Sequence, residues 1–156
     1  MYDARQIAAW FVNRARQDGR YLTIMQLLKL IYIAHGWHLE TSRGNPLIRN
    51  KIEAWKFGPV IPDVYNDYRG QGIAITQPIE TQVPQPLTAH ANTILEYAYR
   101  TYGGMSAQQL SDLTHIPGGP WETATKLHGY FAPITDDLIL SHYQAKRQHA
   151  QAQATG

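Results

Sequence analysis

The chain holds 156 residues, 44% of them hydrophobic and 17% charged, and its 14 Lys plus Arg against 12 Asp plus Glu leave a formal net charge of +2. That is enough apolar material to close one core, and too little net charge for global disorder or for a nucleic-acid footprint by charge alone. The absence of cysteine excludes a disulfide framework, a thiolate zinc site, an iron–sulfur cluster and cysteine nucleophiles.

Helical periodicity opens the chain. Ile7, Trp10, Phe11 and Ala15 recur at helical spacing behind Asp3, a capping residue, and Asp18-Gly19 ends the segment. A second helix opens at Thr23, where Thr23-x-x-Gln26 has capping-box form, and carries Leu27, Leu28, Ile31 and Ala34 inward to about Leu39. Its apolar face is broad enough to predict a central, buried helix. Gly44-Asn45-Pro46 breaks it. Residues 47–60 then carry Leu47-Ile48 and the partly alternating Ile52 to Phe57, which predict a small extended or β element ending at Gly58-Pro59.

Pro62 suits the first turn of a short helix through Arg69, with Val64, Tyr65 and Tyr68 on one side and Gly70 and Gly72 stopping it. Pro78, Pro84 and Pro86 forbid a helix between Ile73 and Leu87, so a short strand and a mobile loop are expected there. Helices resume from Thr88 to Tyr102, then from Ser106-x-x-Gln109, a second capping box with Met105 and Leu110 at hydrophobic-staple spacing. That helix ends near Thr114-His115. Pro120 begins another, running through Leu127. Phe131 to Ile134 reads as extended, and Thr135-Asp136-Asp137 starts a last helix containing Leu138, Ile139 and Tyr143. The Gln- and Ala-rich end lacks core-forming residues and is expected to fray. The prediction is a mainly α (α+β) fold, one compact multi-helix domain over 1–146 with a flexible tail over 147–156.

No specific catalytic signature stands in the sequence. His35 and His38 stand three apart near Glu40, but no His-Glu-x-x-His accompanies them, and histidines that cap or lie on the surface explain them as well. There is no Gly-x-Ser-x-Gly elbow and no phosphate loop; Gly70, Gly72, Gly118 and Gly119 fit turns. No catalytic residue, metal ligand or cofactor is therefore assigned. Arg5, Arg14, Arg16, Arg20 and Lys146-Arg147 make two locally basic stretches, but Asp3 and Asp18 interleave and no recognition helix stands out. Nucleic acid is not expected as a partner. The stretch Ile7 to Val12 is shorter than a signal-peptide core, and Lys29 interrupts the apolar run of the second helix. A cytoplasmic protein without a membrane partner is expected.

The informative residues are aromatic. Trp10, Tyr32 and Trp37 fall where helices meet, while Trp55-Lys56-Phe57-Gly58-Pro59 and Gly118-Gly119-Pro120-Trp121 set a large ring beside residues that fix turns. Such a Trp is either buried structure or a rigid contact at the rim of a groove.

The run Leu27-Leu28-Lys29-Leu30-Ile31-Tyr32, then Pro46-Leu47, then Glu53-Ala54-Trp55-Lys56-Phe57-Gly58-Pro59-Val60 with Pro62 and Tyr65, resembles the Panacea domain, a SocA-like, phage-associated family. Tyr102-Gly103, Leu110, Leu113-Thr114-His115 and Pro120-Trp121 continue the pattern in order, although Ile116-Pro117-Gly118-Gly119 departs from the family's more polar linker. The resemblance implies an antitoxin that neutralises a small protein toxin, encoded by the adjacent gene, through direct contact. An alternative within the family is a proteolytic adaptor that delivers the toxin to an ATP-dependent protease; an alternative of another class is a metal-dependent hydrolase using His35 or His115. Many relatives carry an added helix-turn-helix, for which this chain has no room, so operator binding is not expected. The residues carried over as domain-defining and as candidates for toxin contact are Trp55, Lys56, Phe57, Gly58, Pro59, Tyr65, Thr114, His115 and Trp121. The segment from Gln77 to Pro86, with the helices flanking it, is a further candidate for a variable binding surface.

Overall fold

The computed structural model of the protein describes residues 1–80 and 83–155. The first helix, α1 (Ala4–Gln17), starts at Asp3, whose carboxylate accepts the Arg5 amide at 2.9 Å. Its Ile7, Ala8, Phe11, Val12 and Ala15 turn inward. A two-residue strand β1 (Leu22–Thr23) leads into α2 (Ile24–Thr41), and the predicted capping box forms in both directions. The Gln26 amide reaches Thr23 Oγ1 at 3.1 Å, and the Thr23 amide reaches Gln26 Oε1 at 2.8 Å.

Helix α2 is the axle of the fold. Every residue from Leu27 to Gly36 is buried, Lys29 and His35 included. A helix covered on all sides needs neighbours on all sides, and α2 has them. One is α4 (Ala89–Tyr102), capped by Thr88. Another is α7 (Asp136–Thr155), which meets α2 at Gly36, where Tyr143 lies so close that a β-carbon would fall 2.2 Å from its ring. Trp37 stacks edgewise on the same Tyr143 at 4.9 Å between centroids.

The extended element holds three strands in the order β3-β2-β5, all antiparallel. Strands β2 (Glu53–Trp55) and β3 (Gly58–Val60) form a hairpin whose loop is Lys56-Phe57, and β5 (Ala132–Pro133) lies along the other edge of β2. Leu47-Ile48, expected within this element, contributes only an isolated bridge from Ile48 to Tyr2. A second ladder pairs β1 with β4 (Ala74–Ile75). Between the two ladders runs α3 (Pro62–Tyr68), entered through Pro62 as expected. The remaining helices are α5 (Ala107–Thr114), whose Ser106–Gln109 capping box is complete, and α6 (Pro120–His128).

Two segments differ from their sequence reading. Helix α7 continues to Thr155, so residues 147–155 are helical where a fraying tail was expected; the Ala/Gln composition sustains a helix that buries little. The proline-rich segment is helix-free as expected, but both of its shoulders are tied down. Ile79 donates its amide to Tyr68 Oη at 2.8 Å, and Gln85 exchanges two hydrogen bonds with the side chain of Gln6. Thr81 and Gln82, at the middle of that candidate surface, lie outside the described residues. Among the described residues no helix is long and apolar enough to cross a membrane.

Candidate functional site

The hairpin β2–β3 is where distant parts of the sequence converge. Around its two-residue loop the carbonyls of Trp55, Lys56 and Phe57 each face a side chain from α5, its C-cap or α6. Trp121 Nε1 donates to the Trp55 carbonyl at 2.7 Å, and Ser111 Oγ donates to the Phe57 carbonyl at 3.0 Å. His115 Nε2 stands 3.5 Å from the Lys56 carbonyl, a packing contact rather than a hydrogen bond, because the neutral ring carries its proton on Nδ1. His115 is itself fixed: its Nδ1–H donates to the Ser111 carbonyl at 2.6 Å, and its ring packs on Trp121 with centroids 3.9 Å apart. The predicted pair of Thr114-His115 and Pro120-Trp121 therefore acts as one clamp on the hairpin.

Aromatic packing holds the other face. Trp55 meets Tyr65 of α3 at 5.0 Å and Phe131 at 5.5 Å, both edgewise, and its Nε1 donates to Glu53 at 2.9 Å. Tyr65 and Trp55 are half-buried and serve chiefly as packing. Phe131 has a positive φ of 68°, a conformation bulky residues rarely take, and this aims its ring at Trp55.

Gly58 explains why the loop lies so close to α2. Its φ is 118°, and a β-carbon there would come 2.7 Å from Lys29 Cε and 3.0 Å from Thr114 Oγ1. The glycine thus supplies both the backbone angle and the space. Pro59, buried behind it, turns its carbonyl to Lys29 Nζ at 3.1 Å. Lys29 is 1% exposed, and burial pulls its ammonium down to about 8. Among the described residues it has no carboxylate partner; its other neighbour is Met25 Sδ at 4.0 Å.

Two side chains of the nine carried-over positions leave the scaffold, Lys56 and Phe57. Phe57 is 63% exposed at the tip of the clamped loop, with Lys56 Nζ 5.7 Å from its ring centroid. Beneath Phe57 lies a cleft of about 160 Å³ lined by Met25, Lys29, Phe57, Ala107, Gln108 and Ser111. The structure so brings all nine residues to one hairpin and its supports, and adds Lys29, Ser111 and Phe131. Lys29 and Ser111 were visible only as a lone cation in an apolar run and as a serine one helical turn before His115.

The histidine pair considered for metal is divided between different partners. His35 Nδ1 accepts the Ile48 amide at 3.3 Å, which leaves the proton on Nε2 for Asp136 Oδ1 at 2.8 Å. His38 Nδ1 points to the Asn45 carbonyl at 2.8 Å. No group of three or more metal-ligating side chains forms among the described residues. The basic N-terminal stretch is likewise engaged, since Arg5 pairs with Asp67 at 2.7 Å and Arg14 with Glu96 and Asp18 at 3.0 Å each.

Comparison with known proteins gives the family. The chain is 35% identical over 130 residues to Antitoxin SocA of Caulobacter vibrioides (strain NA1000 / CB15N), covering 77% of this chain and 69% of that protein. No solved structure matches it. The family model described as "Antitoxin SocA-like, Panacea domain" matches residues 27–122, the stretch that runs from the start of the buried α2 face to the Trp121 clamp. The chain belongs to the SocA-like antitoxin family defined by the Panacea domain.

Proposed function

We infer that the protein is a non-enzymatic antitoxin that neutralises a small protein toxin by direct binding, and that the β2–β3 hairpin is part of the surface it uses. The observation that carries this reading is the match to Antitoxin SocA and to the Panacea domain over the residues that build the hairpin and its clamp. Physical character supports the choice of surface. A contact residue costs least to immobilise when it is already held, and rigid aromatic anchors dominate binding energy at interfaces. Phe57 fits that description: its backbone is fixed by Ser111 and Gly58 while its ring stays in solvent. The nine motif residues divide accordingly into supports (Trp55, Gly58, Pro59, Tyr65, Thr114, His115 and Trp121) and presented groups (Lys56 and Phe57).

Co-expression with the small open reading frame beside its gene tests the reading. Growth rescue together with a stable, co-purifying complex is the expected result. Rescue with no complex, and with the toxin disappearing only when a protease is present, would replace direct neutralisation by delivery for degradation.

A further inference from the structure

We propose that the cleft under Phe57 is an acceptor for an acidic side chain of the protein toxin, with Lys29 as its counter-charge and Phe57 and Met25 as apolar walls. The proposal rests on the direct-binding reading above and gives the partner its chemistry: an Asp or Glu flanked by an apolar residue.

Lys29 carries the argument. It lies on the central helix, 1% exposed, with one oxygen acceptor, the Pro59 carbonyl at 3.1 Å. Burial of an ammonium with no counter-charge opposes folding, and a neutral donor would serve one hairpin carbonyl without that cost. The fold therefore does not account for the charge. An incoming carboxylate does: inside a low-dielectric cleft it supplies the missing partner for a cation already in place. The surroundings suit this visitor. Lys29 lines the cleft itself, Lys56 adds a second cation beside the Phe57 ring at the rim, and the apolar atoms of Met25, Phe57 and Ala107 shape the remainder. The cleft, at about 160 Å³, is sized for a side chain rather than for a metabolite. Entry requires the unbranched Met25 side chain to swing aside, which its rotameric freedom allows.

The test compares toxin affinity of the full chain with that of three variants. Lys29→Met keeps the stem and removes the charge; Gln108→Glu and Gln108→Lys change the charge at the exposed mouth of the cleft, the first losing the 2.9 Å bond to Asp112 and the second keeping a donor for it. Lys29→Met is expected to weaken binding by roughly tenfold or more, as loss of a buried charge partner does, while the thermal transition stays cooperative. Gln108→Glu should weaken binding and Gln108→Lys tighten it. A folded Lys29→Met chain that binds as well as wild type overturns the proposal alone, as does a shift of the same sign from both Gln108 variants, which fold independently of Lys29. A wild-type chain that does not bind the toxin overturns the direct-binding reading, and this inference with it.

Discussion

Gly58 and Lys29 share one crowded space, and each makes a separate prediction. Gly58→Ala would force a β-carbon to within 2.7 Å of Lys29 Cε at a φ of 118°. The expected cost is about 1–3 kcal/mol, read as a lower urea midpoint with unchanged slope. Lys29 predicts an unusual pH dependence. Its folded value of about 8 lies below the 10.5 of a free lysine, so across that window the unfolded chain holds a proton the folded chain has released. Stability contributed through this group must therefore rise with pH. Relative to Lys29→Met, the wild type should gain on the order of 2 kcal/mol between about pH 7.5 and about pH 9.5. A flat difference would show that the ammonium is not desolvated. Buried Tyr32 and Tyr143, both pushed up by desolvation, act in the opposite sense at higher pH and cancel in the comparison. Trp55, Gly58 and Trp121 were legible because aromatic–turn pairs leave a sequence signature. Lys29 was read as an interruption in an apolar helix, and Ser111 acts on a carbonyl 54 residues earlier, which no local pattern encodes.

Helices were the easier elements to read, and their ends easiest of all. Thr23 and Ser106 each announce a capping box, and both boxes form; Pro62 and Pro120 each open a helix. The short strand expected after Ile73 forms as β4, whereas its partner β1 went unseen because two residues carry no periodicity. The length of α7 was missed for the converse reason, since its last turns are helical without an inward face. Its contact with α2 gives a prediction of its own. At Gly36→Ala the new methyl would meet the Tyr143 ring at 2.2 Å and drive the two helices apart. A loss of about 1–3 kcal/mol or more is expected despite the better helix propensity of alanine. The clamp yields a smaller effect. Trp121→Phe strips the 2.7 Å bond to the Trp55 carbonyl and should cost about 0.5–1.5 kcal/mol in chemical unfolding, the net worth of one hydrogen bond. Toxin affinity should fall with it as the hairpin loosens.

At the scale of the molecule, a single buried helix organises two functions. Its apolar flanks gather the surrounding helices, and its one lysine reaches out to the hairpin that presents Phe57. The loop of residues 77–86 is the other candidate surface; its described shoulders are bonded to Gln6 and Tyr68, whereas the hairpin tip combines a held backbone with an open ring. Hydrogen exchange of the chain, alone and with its toxin bound, distinguishes the two surfaces most directly. The account predicts a stoichiometric complex in which added protection is greatest over residues 56–58 and 107–111, on both sides of the cleft. Absence of a complex, or protection confined to residues 77–86 with the hairpin unchanged, would contradict it.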